Sequence, residues 1–208
     1  MDDFTILNHI SPIIIQFAFN LQNEQIQSPL VVASSVELLH SLLSYNPLYA
    51  QKASKTPNLI KAIIILTSLQ RRRNDIKITD NNNAVNIRRN ALWCSGWLQY
   101  LCDQSIQRVL IQEEKYILAL VQALGCGGGN EESNNGVIIR AMFAANNLYS
   151  LLWKGRDWCD RIPHLLKKAK EQMEEVGGVE ESEVHLYQIV NGDNKQQSNS
   201  LMEKLILL

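Results

Sequence analysis

Apolar residues recur at three- and four-residue steps along most of residues 4–175, and no segment alternates with a period of two. Ile10, Ile13, Ile14, Phe17 and Leu21 set the rhythm; Leu38, Leu39, Leu42 and Leu43 repeat it, as do Leu59, Ile60, Ile63, Leu66 and Leu69. Such steps return to one side of a helix of about 3.6 residues per turn, so the pattern predicts an all-α chain of amphipathic helices. Aromatics make up only 7% of the 208 residues, and Leu, Ile and Ala are plentiful, which favours helices over a β-sandwich. Breaks fall at Asn23-Glu24, Ser44–Pro47, Lys55–Pro57, Asn74–Asn83, Gly125–Gly136 and Gly155. Thr56-Pro57 and Ser11-Pro12 read as helix starts, with a hydroxyl as cap and proline in the first turn.

The chain also matches itself. IRRNALWCSGWL, from Ile87, aligns with VIIRAMFAANNL, from Val137, at an offset of 50. Ala91 then falls on Ala141, Trp93 on Phe143 and Leu98 on Leu148. A second pair, beginning at Ser44 and Cys102, aligns at an offset of 58, with Leu59 on Ile117, Ile60 on Leu118 and Ile63 on Val121. Removing the excess of the Gly125–Gly136 loop and of the polar RRRNDIKITDNNN insertion brings both offsets near the period of about 40 to 47 seen in helical-repeat arrays. Stacked repeats bury apolar faces that no single repeat can bury alone.

On these residues the chain resembles the armadillo-repeat proteins, whose leucine pattern HEAT repeats share. SIQRVLIQEEKYILALVQAL looks like a short first helix and a leucine-rich second one. IRRNALWCSGWLQYLC and VIIRAMFAANNLYSLL look like third helices. Two repeats cover residues 44–153, and a weaker one covers 4–43. The resemblance implies a short right-handed superhelix of about three to four repeats that binds a partner along its concave face. Through the armadillo proteins that carry nuclear-import signals, the resemblance also implies a Trp and an Asn four residues apart on the third helix. Trp93 holds the Trp position but Trp97 stands at the Asn position; Phe143 and Asn147 fill the pair in the next repeat. Arg88, Arg89 and Arg140 lie on the same helices and oppose a basic peptide. Partner-binding candidates are therefore Trp93, Trp97, Phe143, Asn147, Arg89 and Arg140, and the fitting partner is an acidic or extended peptide. The spacing of Trp93 and Trp97 puts both on one helical face. It leaves open whether they pack inward or form an exposed hot spot.

Charge is unevenly distributed. Residues 1–50 hold four acids and no Lys or Arg, residues 51–170 carry a net +9, and residues 171–208 carry a net −6. Arg71, Arg72, Arg73, Lys77 and Arg88 form a basic cluster around the insertion, which reads either as a solvated loop or as a contact for an acidic partner or RNA. No catalytic pattern is present. GCGGGN is followed by Asn130, Glu131 and Glu132 rather than by the Lys and Ser or Thr of a phosphate loop. The histidines His9, His40, His164 and His185 are scattered. Cys94, Cys102, Cys126 and Cys159 form no CxxC, so neither a metal nor a cofactor is expected.

No apolar run reaches the roughly 18 to 20 residues of a membrane span. The acidic N-terminal MDDFTILN does not read as a signal peptide, so an intracellular, cytoplasmic or nuclear protein is expected. Residues 1–176 read as the repeat domain, 177–200 as an acidic and polar linker, and 201–208 as a short apolar helix. The function expected is a non-catalytic scaffold or adaptor. The alternatives are a structural subunit of a large assembly and an RNA-contacting repeat protein.

Overall fold

The computed structural model describes residues 4–21, 28–69, 81–125 and 134–191. Ten α-helices occur among them and no strand. In chain order these are α1 (Thr5–Phe19), α2 (Pro29–Tyr45), α3 (Pro47–Ser54), α4 (Leu59–Thr67) and α5 (Asn81–Leu101). There follow α6 (Gln104–Arg108), a π turn (Val109–Glu113), α7 (Tyr116–Leu124), α8 (Asn135–Lys154), α9 (Pro163–Glu175) and α10 (Gly178–Asn191).

The helices pack in two rows. The long helices α2, α5 and α8 lie side by side in that order, and α1, α4, α7 and α9 form the second row. Contacts of α1 with α2, α4 with α5 and α7 with α8 join the rows. Between them runs one core of Leu, Ile and Ala, from Leu7 in α1 to Met173 in α9. Each fully buried Leu or Ile contributes about 1.5–3 kcal/mol relative to its exposed state.

Burial repeats with the sequence. At an offset of 50, Ile87, Ala91, Leu92, Cys94 and Leu98 of α5 match Val137, Ala141, Met142, Ala144 and Leu148 of α8, and all ten are buried. Trp93 and Phe143, at matching positions, are both half-buried, as are Trp97 and Asn147. The other offset is 57 rather than 58. At 57 the burial patterns of α4 and α7 coincide, with Lys61 and Leu118, then Ile65 and Gln122, as the less buried positions of each. The backbone agrees. Asn46 caps α3 by accepting from Leu48 N at 2.9 Å, and Asp103 caps α6 by accepting from Ser105 N at 2.9 Å. Asn58 and Lys115 precede α4 and α7 with φ of 63° and 53°.

Two expected helix starts are not starts. Pro12 lies inside α1, where Ser11 Oγ donates to Leu7 O at 2.7 Å. Proline has no N–H to give the preceding turn, and Pro12 is exposed, so that loss is borne at the surface. Thr56 Oγ1 donates back to Lys52 O, closing α3 rather than opening α4, which begins after Asn58. Proline does open α2, α3 and α9. Gly177, with φ of 71°, ends α9, but the chain turns at once into α10. The expected linker is therefore helical through Asn191, because Val179 and Ser182 find cover against the array. The apolar end, 201–208, lies outside the described residues. No helix among the described residues is long and apolar enough to cross a membrane.

Candidate functional site

The row of long helices carries a line of aromatic and cationic side chains. His40 of α2 stacks on Trp93 of α5, with ring centroids 5.1 Å apart and planes at 22°. Arg140 of α8 lies over the same indole, its Cζ 2.9 Å from the ring centroid, and 5.5 Å from the centroid of Phe143. Four side chains from three helices thus touch in sequence. The contact forms because each helix repeats the same face toward its neighbour: Trp93 and Phe143 occupy equivalent positions, and Arg140 stands one turn before Phe143.

A second group adjoins it along α5. Trp97 and Tyr100 meet edge to face at 5.9 Å, and Tyr100 meets Trp158 at 5.8 Å. Arg156 Cζ sits 3.9 Å from the Tyr100 ring centroid. Trp158 Nε1 donates to Tyr100 O at 3.2 Å, which pins the loop after α8 to the end of α5. That loop is tight. Arg156 and Cys159 exchange backbone hydrogen bonds, and Gly155 has φ of 70° with Arg161 N only 2.6 Å from where a Cβ would stand.

The two tryptophans have different roles. Trp97 packs against the apolar core, and its Nε1 is buried with no acceptor. Trp93 is held by His40 and Arg140 instead. Asn147 is half-buried on the same side of α8 as Phe143. Arg89 is exposed on α5, and its Nη2 donates to Asn86 Oδ1 at 3.0 Å.

The two stacked arginines of the line are not neutralised by an ion pair with any described residue, although Asp157 and Asp160 line the hollow beside Arg156. Burial pulls the Arg140 guanidinium down to a pKa of about 10, so it remains charged at neutral pH. Among the described residues no carboxylate lies within salt-bridge distance of Arg140 or Arg156. Burial, and after it the charge of Arg140, holds the His40 imidazole below its ordinary value; Glu37 opposes this and Arg89 adds to it. A hollow of about 590 Å³ beside Arg156 is lined by Lys154, Gly155, Arg156, Asp157, Asp160 and Arg161.

Of the six candidates Trp93, Trp97, Phe143, Asn147, Arg89 and Arg140, the fold brings Trp93, Arg140 and Phe143 into contact, while Trp97 packs against the core and Arg89 is exposed beside Asn86. Sequence reasoning missed His40, Tyr100, Arg156 and Trp158. The Arg-Asp-Trp triplet after Gly155 was the available signal for the last two. Arg88 is corrected: it is buried, and its Nη1 donates to Leu69 O at 3.3 Å, so it belongs to the interior and not to a surface patch. Arg71, Arg72, Arg73 and Lys77 lie outside the described residues. No group of metal-ligating side chains occurs among the described residues. Cys94, Cys102 and Cys159 are free and buried, and burial raises the pKa of all three.

Comparison of the chain with protein families, with curated proteins and with solved structures returns no match.

Proposed function

We propose that this chain is a non-catalytic interaction module, an armadillo-like array that binds a protein partner along the face carried by α2, α5 and α8. The observation that carries the reading is the continuous line His40–Trp93–Arg140–Phe143, half-buried and spanning three helices. Aromatic residues and arginine dominate binding energy at protein interfaces, because they bring large contact area and directed donors at low entropic cost. The two-row packing and the matched burial of α5 with α8 support the repeat reading. Stacked repeats present equivalent positions in a row, which suits an elongated ligand.

The test is selection from a random peptide library on the immobilised chain, followed by mapping of a selected peptide by amide chemical shifts. Shifts concentrated on residues 86–100 and 137–147 support the reading. Shifts confined to α1, α4, α7 and α9 overturn it.

One observation favours a second reading, a structural subunit of a larger assembly. Val31 and Leu38, seven residues apart on one side of α2, are both exposed, as are Ile6 and Phe19 on α1. Apolar surface at the end of an array marks a contact where it forms a patch. A monodisperse monomer at high micromolar concentration, with no dye binding to exposed apolar surface, would count against this reading.

A further inference from the structure

We infer that the docking face recognises an acidic, extended segment of a partner protein, with two carboxylates spaced three residues apart. The inference rests on the proposed role of this face and adds the chemistry of its occupant.

Two arginines are seated on aromatic rings without a carboxylate: Arg140 on Trp93 and Arg156 on Tyr100. Stacking on a ring face holds a guanidinium plane and leaves its edge free to donate. Neither arginine donates a side-chain hydrogen bond to any described residue, and Arg156 Nε is buried without an acceptor, so only its Nη atoms can reach a ligand. A carboxylate accepts two parallel bonds from such an edge, and each charge-assisted bond is stronger than a neutral one. The surroundings supply more positive charge: Arg89 stands one turn before Trp93, and Lys154 and Arg161 line the hollow beside Arg156. Asp157 and Asp160 share that hollow but form no ion pair with Arg156.

Spacing selects the conformation of the ligand. Trp93 and Tyr100 are seven residues apart on one side of α5, so the residues whose rings carry the two guanidiniums are about 10 Å apart along the helix. A polyproline II segment rises about 3.1 Å per residue with three residues per turn, so side chains at i and i+3 point the same way about 9 Å apart. A strand fits less well, because its i and i+3 side chains point to opposite faces.

Nucleic acid carries negative charge as well, but it binds such surfaces by stacking bases on free ring faces. Here the ring of Trp93 is already engaged by His40 and Arg140, and that of Tyr100 by Arg156 and Trp158. The geometry therefore favours carboxylates on a peptide.

The experiment uses the full chain and a fluorescent, proline-rich octapeptide with glutamates at its third and sixth positions, followed by anisotropy. Replacing either glutamate by glutamine, or moving one by a single position, is expected to weaken binding about tenfold, the effect of losing one charge-assisted contact. Arg140→Gln and Arg156→Gln should each do the same with helical circular dichroism unchanged. Arg140→Lys, which keeps the charge but not the planar fork, should fall between. Equal binding of a lysine-substituted peptide, or insensitivity to both arginine variants, overturns the inference. So does preferential binding of a single-stranded octanucleotide through these arginines. Chemical-shift mapping separates the two levels. If a neutral or basic peptide perturbs residues 86–100 while the acidic one does not, only the acidic partner is lost. If none of the three perturbs that face, the docking role fails with it.

Discussion

Asn58 and Lys115 are 57 residues apart and are the two non-glycine residues with positive φ among the described residues. Each stands immediately before a nine-residue helix, and the two helices share one burial pattern. A left-handed backbone costs an ordinary L-residue about 1–2 kcal/mol, and asparagine less. Lys115 bears more of that strain than Asn58. Lys115→Gly should therefore stabilise the fold by about 0.5–1 kcal/mol, and Asn58→Gly by a smaller amount. Urea denaturation of both variants checks the order.

His40 gives a dependence on pH. Its folded-state pKa is depressed by burial and then by Arg140. The unfolded chain therefore binds more protons than the fold as pH drops through about 6.5. His40 should cost the fold nothing well above that value and destabilise it progressively below. Histidine NMR titration should place His40 below its ordinary value. In Arg140→Gln the titration should move upward, since one of the depressing charges is gone. No movement would mean that the charge of Arg140 does not act on the imidazole.

Asp103 behaves in the opposite sense. Hydrogen bonding from Ser105 leads the causes that hold its carboxyl below the ordinary value. A depressed carboxyl contributes stability above its unfolded pKa and loses it as pH falls through the folded one. Asp103→Ala should cost about 1 kcal/mol at pH 7, the usual loss of a helix cap. The gap between variant and wild type should narrow below about pH 4. Thermal melts at pH 7 and pH 3 measure it.

Leu148 and Trp153 lie five residues apart on α8 with opposite environments, 0% and 59% exposed. Leu148→Ala should cost about 2–5 kcal/mol through lost transfer energy and the cavity left behind. Trp153→Ala should stay within about 0.5 kcal/mol. Equal losses would place Trp153 in a contact that the fold described here does not contain.

The helical class was legible because period and composition agree along the chain. The match of α5 to α8 was legible because both helices are long and place Trp93 and Phe143 at the same step among buried Ala and Leu, which fixes one register. The α4–α7 register slipped by one for the converse reason. LIKAIIILT and YILALVQAL are apolar nearly all round, and sliding one against the other still pairs apolar with apolar. What fixes that register is a backbone conformation at Asn58 and Lys115, which residue type does not announce in a lysine. Arg88 and Arg89 are adjacent and chemically identical; only the packing of α5 decides that the first turns inward to Leu69 and the second outward. Tyr100 and Arg156 are 56 positions apart, so their contact depends on how the loop after Gly155 folds back.

The two internal offsets, 57 for the second-row helices and 50 for the long ones, have a consequence for how such a chain can change. Of the seven residues between them, three fall in the joint from α4 to α5, 13 residues against the 10 from α7 to α8, and four extend α5 at its start relative to α8. Both rows keep their packing register all the same. Length at these two joints is thus decoupled from the core. A reporter sequence or a foreign epitope spliced in at either joint should therefore leave α5 and α8 in place.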